Sequence, residues 1–466
     1  MNWKNEVDKR KGTIVKDTQS FLQIESVLDE KTVSKQAPFG EKIREAYDWL
    51  LHKAKQEGFK VKDHDGYAAH IEWGTGEEIV GILCHIDVVP GGDDWTSPAF
   101  NAEIRDEKIY ARGALDDKGP TMACYYALKI LKDAGIETGK RVRLIIGTDE
   151  ESQWRCVDHY FKHEEMPSLG FAPDADFPII YAEKGICDFI YETKLTSNTG
   201  LVRSFHSGHR LNMVPDRAVA KLDIKQVENT SKLRNLFHQY LVHNDCKGSL
   251  NIRDSNVELT LNGFSAHGME PEDGVNAGLL LAGFLIKLPL NIEEKNFITP
   301  LVAMFLKDSR GENIDIAYSD EQLGDLTINI GQMMYEQGSE SKIGINLRYP
   351  EGASFDVIKR SLDDHFQAYG YVGDTRVHET PHAMDKDHEL VKILSKVYEE
   401  ETGEQAELLA IGGGTYARAL NAGVAFGPLF PGQKDVIHQA DEYISIKHLL
   451  AMTVIYTRAV YELAKR

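Results

Sequence analysis

His85 and Asp87 close the run VGILCHIDVVP at residues 80–90, an apolar stretch with no packing use for either side chain. In extended chain, residues i and i+2 face the same side. An imidazole and a carboxylate two apart can therefore serve one site, the carboxylate holding the ring while its other nitrogen binds a metal. Taken alone, the pattern is also that of a core histidine beside a loop aspartate. Its company is Asp116 in ALDDKG, Glu150 and Glu151 in GTDEESQ, Asp174 in FAPDADFP and His438 in DVIHQADE. Each is expected at the end of a strand or in the loop after one. Oxygen and nitrogen donors from separate strand ends, with no thiolates arranged beside them, suit a pair of zinc-like cations. Paired acids are commonly solvated surface, but two carboxylates following the apolar VRLIIGT repel each other if buried without a cation.

The elements that must position these groups read as an α/β layer. An apolar run ending in a turn is a core strand of a mostly parallel sheet, where ligands collect at the carboxyl edge. Helices are expected at residues 5–27 and 41–57, the second stopped by Gly58, with strands at 60–62, 68–73 and 80–85. A hairpin at 103–111, a helix at 121–134, a strand at 141–148 and a helix after Ser152 continue the alternation. From about Gly185 the texture changes to strands such as AVAKLDIKQV and NVELTLNGF, with helices at 230–243 and 274–288. Residues 326–349 alternate as antiparallel strands with one wet face. After Pro381 the α/β texture returns through a helix at 387–402, the turn IGGGTYARAL, the strand VAFGPLF and a final helix. The expectation is an α/β domain of residues 1–184 and 381–466, its mostly parallel central sheet flanked by helices, interrupted by an inserted α+β domain of residues 185–380.

A chain of 466 residues exceeds what one core usually supports. Its net charge of -20 argues against a nucleic-acid partner, because no basic face is available to neutralise phosphates. The five cysteines, Cys84, Cys124, Cys156, Cys187 and Cys246, include no C-x-x-C pair and point to reduced thiols in a cytoplasmic protein. Cys84 neighbours a candidate ligand but faces the other side of its strand. The amino terminus is charged and amphipathic, and no run approaches the ~18 apolar residues of a membrane span, so neither export nor a membrane partner is expected. The loop GGDDWTSPAF at 91–100 reads equally as a lip of the site or a surface turn. Gly412 to Gly414 lack a following Gly-Lys-Ser/Thr. Gly413 and Thr415 suit backbone amides near a carboxylate, or an ordinary tight turn.

The motifs GILCHIDVVP, RGALDDKGP, GTDEES and PDADFP, with the late His438, resemble the di-zinc peptidase superfamily that includes aminoacylase, carboxypeptidase G, acetylornithine deacetylase and carnosinase. The pattern is most similar to the PepV-type bacterial dipeptidases, whose large lid agrees with the length of the inserted region. The resemblance implies two Zn2+ per chain, with Mn2+ or Co2+ able to substitute. Asp116 would bridge them, His85 and Asp174 completing one site and Glu151 and His438 the other. Whether Asp116 or its neighbour Asp117 bridges stays open on sequence. The resemblance further implies that Asp87 orients His85 and that Glu150 is the general base. From the lid, His267 would stabilise the oxyanion, Arg348 would pair with a substrate carboxylate, and Asn212 would make a further polar contact. On residue type alone, the arginine is a surface charge and the histidine part of a turn. The implied activity is hydrolysis of unblocked dipeptides by a cytoplasmic monomer. The alternatives are an N-acyl amino acid deacylase with the same chemistry and a non-catalytic binding relative, against which the presence of Glu150 and every ligand speaks. Cys84, where relatives commonly carry glycine, and Gln153-Trp154, where small residues are frequent, bear on pocket shape.

Overall fold

The computed structural model describes residues 1–253 and 255–465. They form two compact units. One comprises Met1–Ala182, Met384–Ala410 and Thr415–Arg466, the other Glu183–Ala383 and Ile411–Gly414. The glycine turn thus groups with the second unit while the residues on both sides of it in sequence belong to the first.

In the first unit the strand Ile79–His85 is buried along its whole length, as expected of a strand covered on both faces. Its sheet runs in the order Lys60–His64, Ala68–Gly74, Arg141–Gly147, Ile79–His85, Leu169–Ala172, Gly423–Ala425, Ile179–Glu183. The middle pairs are parallel. Both margins are antiparallel. The first two strands are joined by only three residues, with Asp65 and Gly66 at positive φ, and so short a connection permits only an antiparallel return. Helices Lys118–Asp133 and Ile446–Ala464, both heavily buried, pack against one another beside the sheet.

The helix expected over residues 5–27 is two helices, Trp3–Asp8 and Lys11–Leu22. Their apolar stripes serve different partners: Trp3 packs on Tyr461 of the last helix, with ring centroids 5.4 Å apart, while Lys11–Leu22 lies on Lys118–Asp133. The break at Lys9-Arg10 lets each stripe meet its own partner.

The second unit is built on an eight-stranded sheet in the order Lys247–Arg253, Asn256–Asn262, Arg217–Asp223, Val202–Ser207, Thr327–Glu336, Glu340–Tyr349, Gly185–Lys194, Val372–Glu379. Every pairing is antiparallel. One face carries Cys187, Phe189, Ile328, Ile345 and Leu347 into an apolar core. The terminal strand Val372–Glu379 exposes alternate residues, among them Asp374 and Arg376, which pair at 2.9 Å. Among the described residues, no helix is long and apolar enough to cross a membrane.

Candidate functional site

Three adjacent parallel strands end together and deliver most of the donors. His85 is the last residue of Ile79–His85. Glu150 and Glu151 follow Arg141–Gly147, and Asp174 follows Leu169–Ala172. Asp116 comes from the loop entering helix Lys118–Asp133, and His438 from the loop before strand Tyr443–Ser445. His85 Nε2 stands 2.8 Å from Asp116 Oδ1 and 3.6 Å from Asp174 Oδ1. His438 Nε2 stands 2.8 Å from Asp116 Oδ2 and 3.1 Å from Glu151 Oε1. The two oxygens of Asp116 therefore each face a different imidazole.

Donor atoms of His85, Glu150 and Asp174 lie within 4.8 Å of one another, as do those of Asp116, Glu151 and His438. His85 Nε2 and Asp116 Oδ1 are both buried, yet neither makes a hydrogen bond, despite their closeness. Lone pairs so placed aim at shared centres rather than at each other. Ligands held about 2.0–2.2 Å from a tetrahedral cation stand about 3.3 Å apart, and the measured separations bracket that spacing. The residues present thus fit a pair of divalent cations.

The ring of His85 is oriented by Asp87, though chiefly through the main chain. Nδ1 donates to the Asp87 carbonyl at 3.0 Å, while the carboxylate lies 3.5 Å away. Asp87 Oδ2 accepts from the Glu151 amide at 3.0 Å and so locates the glutamate pair. A protonated Nδ1 leaves Nε2 free as a ligand. Asp117, fully buried, turns away: its Oδ2 accepts from the His85 amide at 3.1 Å and from Thr121 Oγ1 at 3.2 Å.

The electrostatics reflect a surplus of carboxylates. Burial, reinforced by Asp174, Asp116 and Glu151, pushes Glu150 well above the usual carboxylate range. Burial likewise lifts Asp174 to about 6. Asp116, though buried, is held low by the His438 and His85 imidazoles beside it. Asp116 and Glu151 in turn raise His438 to about 10.

Two supports escaped sequence reasoning. Glu442, fully buried, accepts from the amides of Leu115 at 2.8 Å and Asp116 at 3.3 Å and pairs with Arg112 at 2.6 Å. It fixes the loop that presents Asp116. Glu442→Gln should weaken cation affinity by about 10–100-fold, as loss of an outer partner commonly does. Competition with a chromophoric chelator reads this, and unchanged affinity would remove Glu442 from the site. Tyr416 sets its ring edge-on to His85, with centroids 6.0 Å apart at 90°, and bonds Cys156 Sγ at 3.2 Å. Gly147 makes room for it, since a Cβ there would lie 2.0 Å from the Tyr416 hydroxyl. Gly147→Ala should cost about 1–3 kcal/mol in a urea melt, the usual penalty for overpacking. A wild-type midpoint would mean that the tyrosine yields freely.

The loop at residues 91–100 is stapled beyond His438, Thr96 Oγ1 donating to Asp441 Oδ2 at 2.6 Å. Cys84 is buried with its thiol raised by burial and sits beside Cys124, away from the donors. A third convergence among the described residues, His64, His70 and Glu164, is of another kind. Glu164 already bears Lys62 and, at 2.9 Å, Arg143, while His70 Nδ1 meets the Tyr160 hydroxyl at 2.8 Å.

The second unit brings its own candidates together. Gly268 N donates to Asn212 O at 2.7 Å, and Met213 bridges to His267. Burial lowers the His267 imidazole, and the Arg348 charge adds to that effect. Arg348 is 5% exposed, and its Nη1 donates to Gly412 O at 3.4 Å, next to Gly413. Thr415, in the first unit, uses its hydroxyl to accept from the Ala417 amide at 3.3 Å, capping the turn Tyr416–Ala419.

Residues 81–462 match the family described as Peptidase family M20/M25/M40. The chain belongs to that family. This M20 peptidase is 50% identical over 470 residues to "Putative dipeptidase YtjP" of Bacillus subtilis, with 100% of both chains covered. It is 42% identical over 467 residues to "Putative dipeptidase SH1171" of Staphylococcus haemolyticus, covering 99% of each. Among solved structures, it is similar to aminoacylhistidine dipeptidase of Vibrio alginolyticus, with a TM-score of 0.59, 15% identity and 97% of each chain covered. It is also similar to human carnosine dipeptidase 1, with a TM-score of 0.57, 13% identity and 99% of each chain covered. Those structures share its α/β fold. As a member of a metal-dependent peptidase family, the protein is a hydrolase of peptide bonds, as its motifs led us to expect.

Proposed function

We propose that this M20 peptidase is a zinc-dependent dipeptidase that hydrolyses unblocked dipeptides to free amino acids. The observation that carries the reading is Asp116 set between His85 and His438, with buried ligand atoms that make no hydrogen bond. Asp116 is assigned as the bridging ligand, with His85 and Asp174 on one Zn2+ and Glu151 and His438 on the other. Mn2+ or Co2+ would be tolerated substitutes. Two divalent cations held by these residues would supply a lowered pKa for a shared water and polarisation of the scissile carbonyl.

The chain's own groups do the rest. Asp87 locks the tautomer of His85 through its carbonyl and places the glutamates through its carboxylate. Glu150 takes a proton from the attacking water and delivers it to the departing amine. The inserted region of residues 185–380 is read as the lid. It supplies His267 for the oxyanion, Arg348 for the substrate's terminal carboxylate and Asn212 as a further polar contact. Gly413 and Thr415 are assigned main-chain amides toward the same carboxylate. We place the enzyme in the cytoplasm, as a monomer using peptides as its only partners.

The test is amino-acid release from dipeptides, matched tripeptides and N-acetyl amino acids by protein stripped of metal and then reloaded with zinc or manganese. Metal-restored cleavage confined to unblocked dipeptides is the expected result. Preference for the acetylated set would assign a deacylase, and tight metal uptake without turnover would leave a binding protein.

A further inference from the structure

The antiparallel register of the second unit builds a polar row across three neighbouring strands of its sheet. Asp188, Asn346 and Asn329 are successive cross-strand partners on Gly185–Lys194, Glu340–Tyr349 and Thr327–Glu336. Ile186, Arg348 and Thr327 form the next row on the same face. The opposite face, with Cys187, Leu347 and Ile328, is the apolar core, so polar side chains in these rows are not explained by solvent. Asn346 and Asn329 are each 1% exposed.

Asn346 Nδ2 donates to Asp188 Oδ1 at 2.6 Å, and Arg348 Nε donates to Asn346 Oδ1 at 3.1 Å. An ionised carboxylate only accepts and a guanidinium only donates, so the link between them needs a side chain that does both. The amide of Asn346 does so, and its two neighbours fix which way it is turned. Arg348 is thus gripped at Nε by Asn346 and at Nη1 by the Gly412 carbonyl. Asn329 spends its amide on the carbonyls of Leu211 at 2.6 Å and Met213 at 2.9 Å, holding the turn that carries Asn212.

We propose that Asn346, backed by Asp188, is a positioning residue that aims the Arg348 fork and thereby sets the preference for substrates ending in a free carboxylate. The inference rests on the assignment of Arg348 to that carboxylate. A guanidinium pairs with a carboxylate through two parallel bonds only when its plane is held, and a freely rotating arginine keeps its charge but loses the fork. Removing the grip should therefore weaken recognition of the carboxylate while the hydrolytic step continues.

The experiment measures kcat and KM for one dipeptide and for the same dipeptide as its terminal carboxamide. Asn346→Ala should raise KM for the free carboxylate about tenfold, the scale of one charge-assisted hydrogen bond, and leave kcat and the carboxamide within about twofold. Asp188→Asn, which still accepts from Asn346, should retain wild-type preference, whereas Asp188→Ala should lose part of it. Equal losses on both substrates, or none, would overturn the proposal. Should Asn346→Ala not fold, the Asp188 pair makes the same comparison. Arg348→Ala separates the levels: if it leaves the carboxylate preference intact, the assignment of Arg348 falls and the inference with it. If it abolishes the preference while Asn346→Ala and Asp188→Ala do not change it, only the inference fails.

Discussion

Glu150→Gln should lower kcat by roughly 10²–10⁴-fold while the protein still takes up two cations per chain. The substitution keeps the size of the side chain and removes only its ability to carry a proton between water and amine. The effect should fall on kcat and kcat/KM alike, because the lost interaction belongs to the transition state. Steady-state kinetics with metal content measured on the same preparation gives the answer. Loss of metal together with rate would make Glu150 a ligand, a role open to it by distance, since it lies with His85 and Asp174.

Asp116→Ala should abolish uptake of both cations and, with them, several kcal/mol of transition-state stabilisation, roughly 10³-fold or more in rate. Asp117→Asn makes the informative contrast. Asp117 accepts from the His85 amide and the Thr121 hydroxyl, so its amide should loosen that strand end by about 1–3 kcal/mol without changing the cation count. Metal analysis and a denaturant melt of both variants separate the roles. A reversed pattern, with the cations lost in Asp117→Asn and kept in Asp116→Ala, would exchange the two aspartates.

The candidate donors at strand ends were legible because an apolar strand runs into each of them and the sheet needs none of them for packing, whereas Asp116 and His438 come from loops. His85, Asp174 and the glutamate pair could be read from strand ends in this way, and the alternation at residues 326–349 gave the second unit its antiparallel character. What stayed hidden depends on contacts that no local pattern encodes. Glu442 meets Arg112 across 330 positions of sequence, and the acid in HQADE reads as loop polarity until the fold brings its partners. Tyr416 was visible only as part of a glycine turn, although it is fully buried against His85. The role of the Asp87 carbonyl was beyond side-chain reasoning altogether. The split of the first helix turned on which partner each apolar stripe would meet, which one helix period cannot specify.

The strand Val372–Glu379 stands last in its sheet, the kind of border on which another strand can grow. Here Asp374 and Arg376, both exposed, hold each other at 2.9 Å along the strand. An incoming strand would have to lay its own side chains across that pair and strip water from both charges. The pair guards the border by charge. Neutralising it with Asp374→Val and Arg376→Val should leave the active site untouched and promote assembly edge to edge, read as a rise in apparent mass with concentration.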